Sequence, residues 1–347
     1  MRRIVASAGL LFTIACGQQA SDRPDSGPAE VIEPPVWTIE LGVPTNQDLL
    51  AVWGRSVDDV YAVGWDGTIV HYDGVNWRLE TTTSTQPLTA VHGRPRAEDA
   101  LPTDPEPPVM AVGWQGTLLA RGPDGTWAPA PSTSTRTEDL FGISLGADDS
   151  GLAVGDRGHV LGWDGMAWTA LPFTVPGEFS GEPIAPKGVL KGVWSANGRR
   201  YYITGSGGAA YRSASGYDRF EALDTRISDP LRGVWGTGNS NVYAVGLDSL
   251  IMRFSGQWRR VQNNGADTLP RTFLFGVSGQ SEADITAVGW KGIAVRLVDG
   301  AWISESTGVQ NDLRSVWVDP ETGVAFAVGS TGRIIRRTPP PEPAAEE

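Results

Sequence analysis

A chain of 347 residues with a formal net charge of −12 has room for two ordinary domains or one large repeat fold. Its acidity repels phosphate backbones and no basic run opposes it, so nucleic acid is excluded as an expected partner. The 44 glycines and 14 tryptophans, without any long helical pattern, indicate a turn-rich, all-β chain.

The first element is a leader. Arg2 and Arg3 precede an apolar run from Ile4 to Ala15, which is too short to span a membrane and reads as a secretory signal over residues 1–16. Thr13-Ile14-Ala15-Cys16 resembles the bacterial lipobox, with Thr13 where leucine is usual. The resemblance implies a diacylglyceryl thioether on Cys16 and membrane attachment through acyl chains alone. Gly17 follows instead of the aspartate that signals inner-membrane retention, so the expected location is the outer membrane or cell surface of a two-membrane bacterium. Cys16 is the only cysteine, and an internal disulfide has no second partner. Residues 17–35 are polar, acidic and rich in proline, the composition of a tether.

From residue 36 to 337 one phrase recurs. Its central glycine falls at Gly64, Gly113, Gly155, Gly205, Gly246, Gly289 and Gly329, the spacing of propeller blades. Each repeat holds four short strands. Strand a is the Leu-x-x-Val-Trp-Gly element, whose first copy, Leu50 to Gly54, reads as shortened by one residue. Strand b is Val-Tyr-Ala-Val-Gly, strand c is Thr-Ile-Val-His-Tyr, and strand d opens at Trp77, Trp127, Trp168, Phe220, Trp258 or Trp302. A four-stranded sheet cannot bury both faces alone, and radial stacking of seven buries them all. The seventh repeat stops after strand c. Residues 36–41, where Trp37-x-x-Glu40 repeats the pattern of Trp77-x-x-Glu80, are expected to supply its strand d and close the ring. Residues 338–347 read as a solvated tail.

The turns between strands c and d, Asp73-Gly74-x-x-Trp77, Asp124-Gly125-x-Trp127, Asp164-Gly165-x-x-Trp168 and Asp299-Gly300-x-Trp302, resemble a shortened Asp-box of the sialidase-like BNR-repeat propellers. The repeat as a whole resembles the photosystem II assembly-factor-like propellers and the bacterial cell-surface propeller lipoproteins. The resemblance implies that Asp73, Asp124, Asp164 and Asp299 are structural acceptors of backbone N–H groups. It is specific for fold and weak for activity.

Candidate chemistry is sparse. His71, His92 and His159 sit on different blades without metal-ligand spacing, and read as packing residues. The interior strand-a positions read as Val, Trp, Ala, Leu, Gly and Ser, not as the Arg, Tyr and Glu of a sialidase. Neither cofactor nor metal is expected. The b–c turns are more distinctive. Trp65, Trp114 and Trp290 stand where a polar turn residue would serve. Either they form a contact surface for a sugar ring or a protein, or each folds back onto its neighbouring blade. The expected function is a monomeric, non-catalytic binding or scaffold propeller at the bacterial envelope, recognising a protein or glycan through the b–c face. An envelope protein-assembly factor and a diverged sialidase-like glycoside-processing enzyme are the alternatives.

Overall fold

The period-two pattern of each repeat becomes four short antiparallel strands, and seven such sheets stand around a central channel. The structure, a computed structural model, describes residues 37–94, 106–146, 149–176, 183–184, 186, 188–214, 219–262 and 269–339. Cys16, the leader, the tether and most of the C-terminal tail lie outside the described residues. Blade 1 consists of strands a to d at Leu49–Ser56, Asp59–Gly64, Ile69–Tyr72 and Trp77–Leu79. Strand a of the later blades opens at Leu88, Leu140, Leu190, Leu231, Leu274 and Leu313, and each strand a neighbours the next, with the seventh returning to the first.

Blade 7 is completed as the sequence suggested. Trp37–Ile39 is its strand d, pairing antiparallel with Ile334–Arg337 in the register Trp37 to Arg337. The first strand a is not shortened. Leu49 pairs with Gly64 as Leu88 pairs with Gly113, so Leu49 rather than Leu50 is the conserved-register leucine of the repeat.

A size code orders the inner ring. A Cβ on Gly93 would meet the Trp53 ring at 2.5 Å, and one on Gly54 would meet Trp317 at 2.6 Å. Trp194 and Trp235 press on Gly236 and Gly279 in the same way. Where strand a of the preceding blade carries His92, Ser144 or Ser278 in the tryptophan slot, the facing residue is Leu145, Ser195 or Val318. Tryptophan therefore meets glycine at four of the seven blade boundaries, and where the slot holds a smaller residue the facing position carries a side chain, as close packing allows.

The outer ring is latched by charge at three boundaries. The buried strand-d indoles of Trp37, Trp77 and Trp127 donate Nε1–H to Glu305, Glu40 and Glu80 of the preceding blade at 2.9, 3.2 and 2.6 Å. Around Glu80 a network forms. Arg121 approaches it to 2.7 Å, His71 Nδ1 lies 3.2 Å away, and His71 Nε2 is 2.7 Å from Asp59, which also binds Arg55. The His71 ring stacks on Tyr61 at 4.3 Å. Burial opposes charge on His71, but the two carboxylates outweigh it and raise its pKa to about 9. The sequence reading of His71 as a packing residue is thus incomplete: it is an imidazolium clamped between two acids. At the 6/7 boundary the same slots hold Asp284, Arg296, Glu305 and Arg337, with Arg296 bound to Asp284 at 2.8 Å. His92 differs again. Its burial pushes the pKa down to about 4, and neutral Nδ1 accepts the Leu145 N–H.

Candidate functional site: the b–c face and the channel mouth

The b–c connections are two-residue hairpin turns. Asp66 and Gly67 have φ of 53° and 68°, and the Thr68 N–H returns to the Trp65 carbonyl, the geometry of a type I′ turn. Trp65 therefore flanks the turn and Asp66-Gly67 forms its tip, which corrects the expectation of tryptophans at turn tips. The same holds for Trp114 before Gln115-Gly116 and Trp290 before Lys291-Gly292. Several turns are pinned by an aspartate just before strand a of the following blade. Asp139, Asp312 and Asp48 accept the N–H of Gln115, Lys291 and Thr331 at 2.9, 3.0 and 2.8 Å. Each of these three donors is a non-glycine residue at positive φ, so the bond supports the least comfortable position of its hairpin.

Trp65 and Trp114 meet edge to face at 5.2 Å, with Trp65 37% exposed. Trp290 stands apart on blade 6, 43% exposed and edge-on to Phe273 at 5.7 Å. The three thus form a pair and a separate single residue on one face. On the opposite face, Asp73 accepts the N–H groups of Val75 and Asn76, Asp164 those of Met166 and Ala167, and Asp124 that of Thr126. Asp299 has another role: with φ of 49° it forms a two-residue turn with Gly300 between paired Val298 and Ala301.

Inside this rim the structure shows a feature that strict alternation hides. Each strand a carries a β-bulge at its second residue, where the register slips against strand b. A bulge re-aims one side chain, and here it does so seven times at the end of strand a beside the b–c turns. The bulged residues are Leu50, Thr89, Phe141, Lys191, Arg232, Phe275 and Arg314, and all line a central channel of about 600 Å³. The expectation that strand a offers no cations to the axis is therefore corrected. Lys191 Nζ lies 3.3 Å from the Phe141 ring centre, and the Arg314 and Arg232 guanidinium carbons lie 4.7 and 5.8 Å from that of Phe275. Arg314 also binds Asp312 at 3.0 Å, whereas Arg232 has no ion pair among the described residues. Burial and then repulsion by Arg232 push Lys191 down to about 8; burial and Arg314 likewise lower Arg232. Such mutual repulsion is relieved by an anion. Among the described residues none that lines the channel is Tyr, Glu or Asp, and no cluster of His, Cys, Asp and Glu is arranged to hold a metal.

No protein-family model matches the chain. Over 94 residues it is 35% identical to the immune protein Tsi7 of Pseudomonas aeruginosa, a stretch covering 27% of each protein, so the chain matches about a quarter of that relative's length. Solved structures with the same architecture include YCF48 bound to D1 peptide, with a TM-score of 0.66 and 16% identity over 88% of this chain and 98% of that one. YCF48 from Cyanidioschyzon merolae gives 0.66 at 13% identity over 88% and 99% of the two chains. The WD40 β-propeller domain of Doa1 gives 0.65 at 11% over 87% and 97%. At these identities the likeness is one of fold.

Proposed function

We propose that this chain is a non-catalytic adaptor of the bacterial envelope that holds a partner protein by an acidic peptide segment seated at the channel mouth. The observation that carries the reading is the set of seven bulges, which brings Lys191, Arg232 and Arg314 together with Phe141 and Phe275 in a chain of net charge −12. Cations backed by aromatic faces suit carboxylates attached to an apolar body. The exposed edges of Trp65 and Trp290 widen the apolar rim. A YCF48 structure of the same fold holds a peptide, which supports the ligand class. The leader and Cys16 support the location. A lining without Tyr, Glu or Asp supports binding over glycoside chemistry.

The test is calorimetry on the full chain with peptides ending in Glu-Phe-Asp, as free acid and as the amide of the neutral Gln-Phe-Asn counterpart, beside a glycan array. Saturable, salt-sensitive binding of the acid alone, lost in Arg232→Glu and Lys191→Glu proteins that melt like the parent, is the expected result. Equal binding of the neutral peptide, binding that survives both exchanges, or binding to glycans alone overturns the reading.

A further inference from the structure

A groove lies away from the mouth, at the outer rim between blades 4 and 5. Residues 190–262, which form these blades, carry ten Lys and Arg against five Asp and Glu, so this sector of the acidic chain is basic. In the groove is a cavity of about 410 Å³ with Leu223, Phe254 and Trp258 among its walls and Arg226 and Arg259 among its polar lining.

The equivalent groove between blades 1 and 2 is filled by the chain itself. There Glu80 accepts the Trp127 indole, and the next residues run on as a parallel bridge, with Trp127 N–H donating to Thr81 and Thr83 N–H donating to the Trp127 carbonyl. Between blades 2 and 3, Pro131 and Thr133 make the same two bonds to Trp168. At the 4/5 boundary this filling is missing. Leu223 occupies the glutamate slot, and the buried Trp258 Nε1 has no acceptor among the described residues. Trp258 pairs with Phe254 in the register that Trp127 keeps with Arg121, which turns its own N–H and C=O to the outer edge. Among the described residues no backbone bond reaches that edge from residues 224–226. Thr225 turns inward instead and bonds Gly208 at 2.7 Å.

We infer that this groove takes an extended acidic peptide segment of a partner protein, which adds to the blade 5 edge at Trp258 and sets a glutamate or aspartate between Arg226 and Arg259. The free edge supplies main-chain bonds and the cavity takes the apolar neighbours of the acid. The arginines supply charge complementarity: both are exposed, Arg226 has only the exposed Asp224 at 3.5 Å, and Arg259 has no ion pair among the described residues. The molecule displays the expected ligand on its own blade 2 edge, as Leu79-Glu80-Thr81-Thr82-Thr83-Ser84. The groove does not depend on the channel mouth for its argument.

The probe is therefore a capped synthetic peptide of that six-residue sequence, with a second peptide carrying Gln for Glu. Both are titrated to millimolar concentration into the ¹⁵N-labelled full chain. The indole N–H signal of Trp258, assigned by its loss in Trp258→Phe, is expected to shift saturably with the Glu peptide and roughly tenfold more weakly with the Gln peptide. Leu223→Glu supplies the carboxylate internally and is expected to abolish the shift, as is the pair Arg226→Glu and Arg259→Glu. No shift with the Glu peptide, equal shifts with both peptides, or a shift that persists in folded Arg226→Glu/Arg259→Glu protein overturns the inference. The two peptides on the parent chain decide the matter even if a variant fails to fold. The mouth proposal is read separately, through Arg232→Glu.

Discussion

Blades 6, 7, 1 and 2 form one arc of the ring and blades 3, 4 and 5 another, and they solve the same packing problem differently. At the three boundaries inside the first arc the strand-d tryptophans Trp37, Trp77 and Trp127 donate to glutamates, and two of these boundaries add an ion network. Across the remaining boundaries the glutamate slot holds Ala130, Leu171, Leu223 or Val261, and the Trp168 and Trp258 indoles find no acceptor among the described residues. The first arc contains the seam, where strand d of blade 7 joins its sheet without being the continuation of strand c. Apolar burial alone tolerates slippage along a strand, whereas a directed indole–carboxylate bond tolerates little. Two of the three latches flank blade 7, where register has no covalent guarantor, the third stands at the next boundary, and the far arc relies on apolar packing.

The sharpest way to break that contrast is to remove one latch. Glu80→Ala leaves the His71 imidazolium, the Arg121 guanidinium and the Trp127 indole without their shared acceptor. Stripping one partner from a buried network costs about 3–5 kcal/mol. Leu223→Ala, in the same slot of the far arc, deletes part of a half-buried side chain and is expected to cost about half as much. Urea unfolding of both variants measures the difference, and equal losses would show that the latches add nothing beyond packing.

A smaller effect separates the two ion networks. With its folded pKa raised to about 9 against an ordinary 6.5, His71 contributes stability that is fully present below pH 6.5 and is lost as pH rises through 9. The amount is on the order of 1–3 kcal/mol. His71→Arg copies the Arg296 slot of the other network, whose cation does not titrate in that window. Stability of the parent is therefore expected to fall between pH 6.5 and 9 relative to the variant, as thermal melts across that range would register. The acid limb runs the opposite way: Asp59 and Glu80 are lowered by these partners, and their contribution disappears as pH falls through their folded values.

The far arc can also be given a latch. Ala130→Gln places an amide oxygen in the slot from which Glu80 serves Trp127, beside the unsatisfied Trp168 indole and a neighbouring cavity of about 350 Å³. One buried hydrogen bond gained without a new charge is worth about 1 kcal/mol, seen as a rise in the urea midpoint at unchanged slope. A fall would mean that the side chain cannot reach the indole.

The ring, its seven blades and its closing strand were legible in the sequence because glycine turns and period-two apolar runs are local signals. The Glu of Trp37-x-x-Glu40 and Trp77-x-x-Glu80 was visible too, but its partner lies one blade away, at Trp77 and Trp127. The channel mouth was hidden by a different cause. A bulge inserts one residue into strand a, so alternation counted from Leu190 or Leu231 sends Lys191 and Arg232 to the wrong face. The tryptophan–glycine code had a signal as well: glycine follows the strand-a slot only in blades whose predecessor carries tryptophan there.

The smallest expected change in stability comes from the mouth. Arg232→Ala removes a cation from a cluster of like charge at the channel mouth, so the melt should move by no more than about 0.5 kcal/mol, and upward if at all. Its effect on Lys191 should be larger than its effect on the fold. Lys191 is held near 8 first by burial and then by Arg232, with Asp156 and Asp139 pulling the other way. Removing Arg232 leaves the burial and both carboxylates in place, so the Lys191 pKa should rise without regaining its ordinary value. Titration of the Lys191 side chain by NMR, or its rate of acylation against pH, measures this. A rise that accompanies an unchanged melt would separate the mouth from the latched arc: the latches hold the ring together, and the mouth stores repulsion that a carboxylate ligand relieves. An unmoved pKa would mean that Lys191 answers to its Phe141 packing alone, and that the three cations do not act as one site.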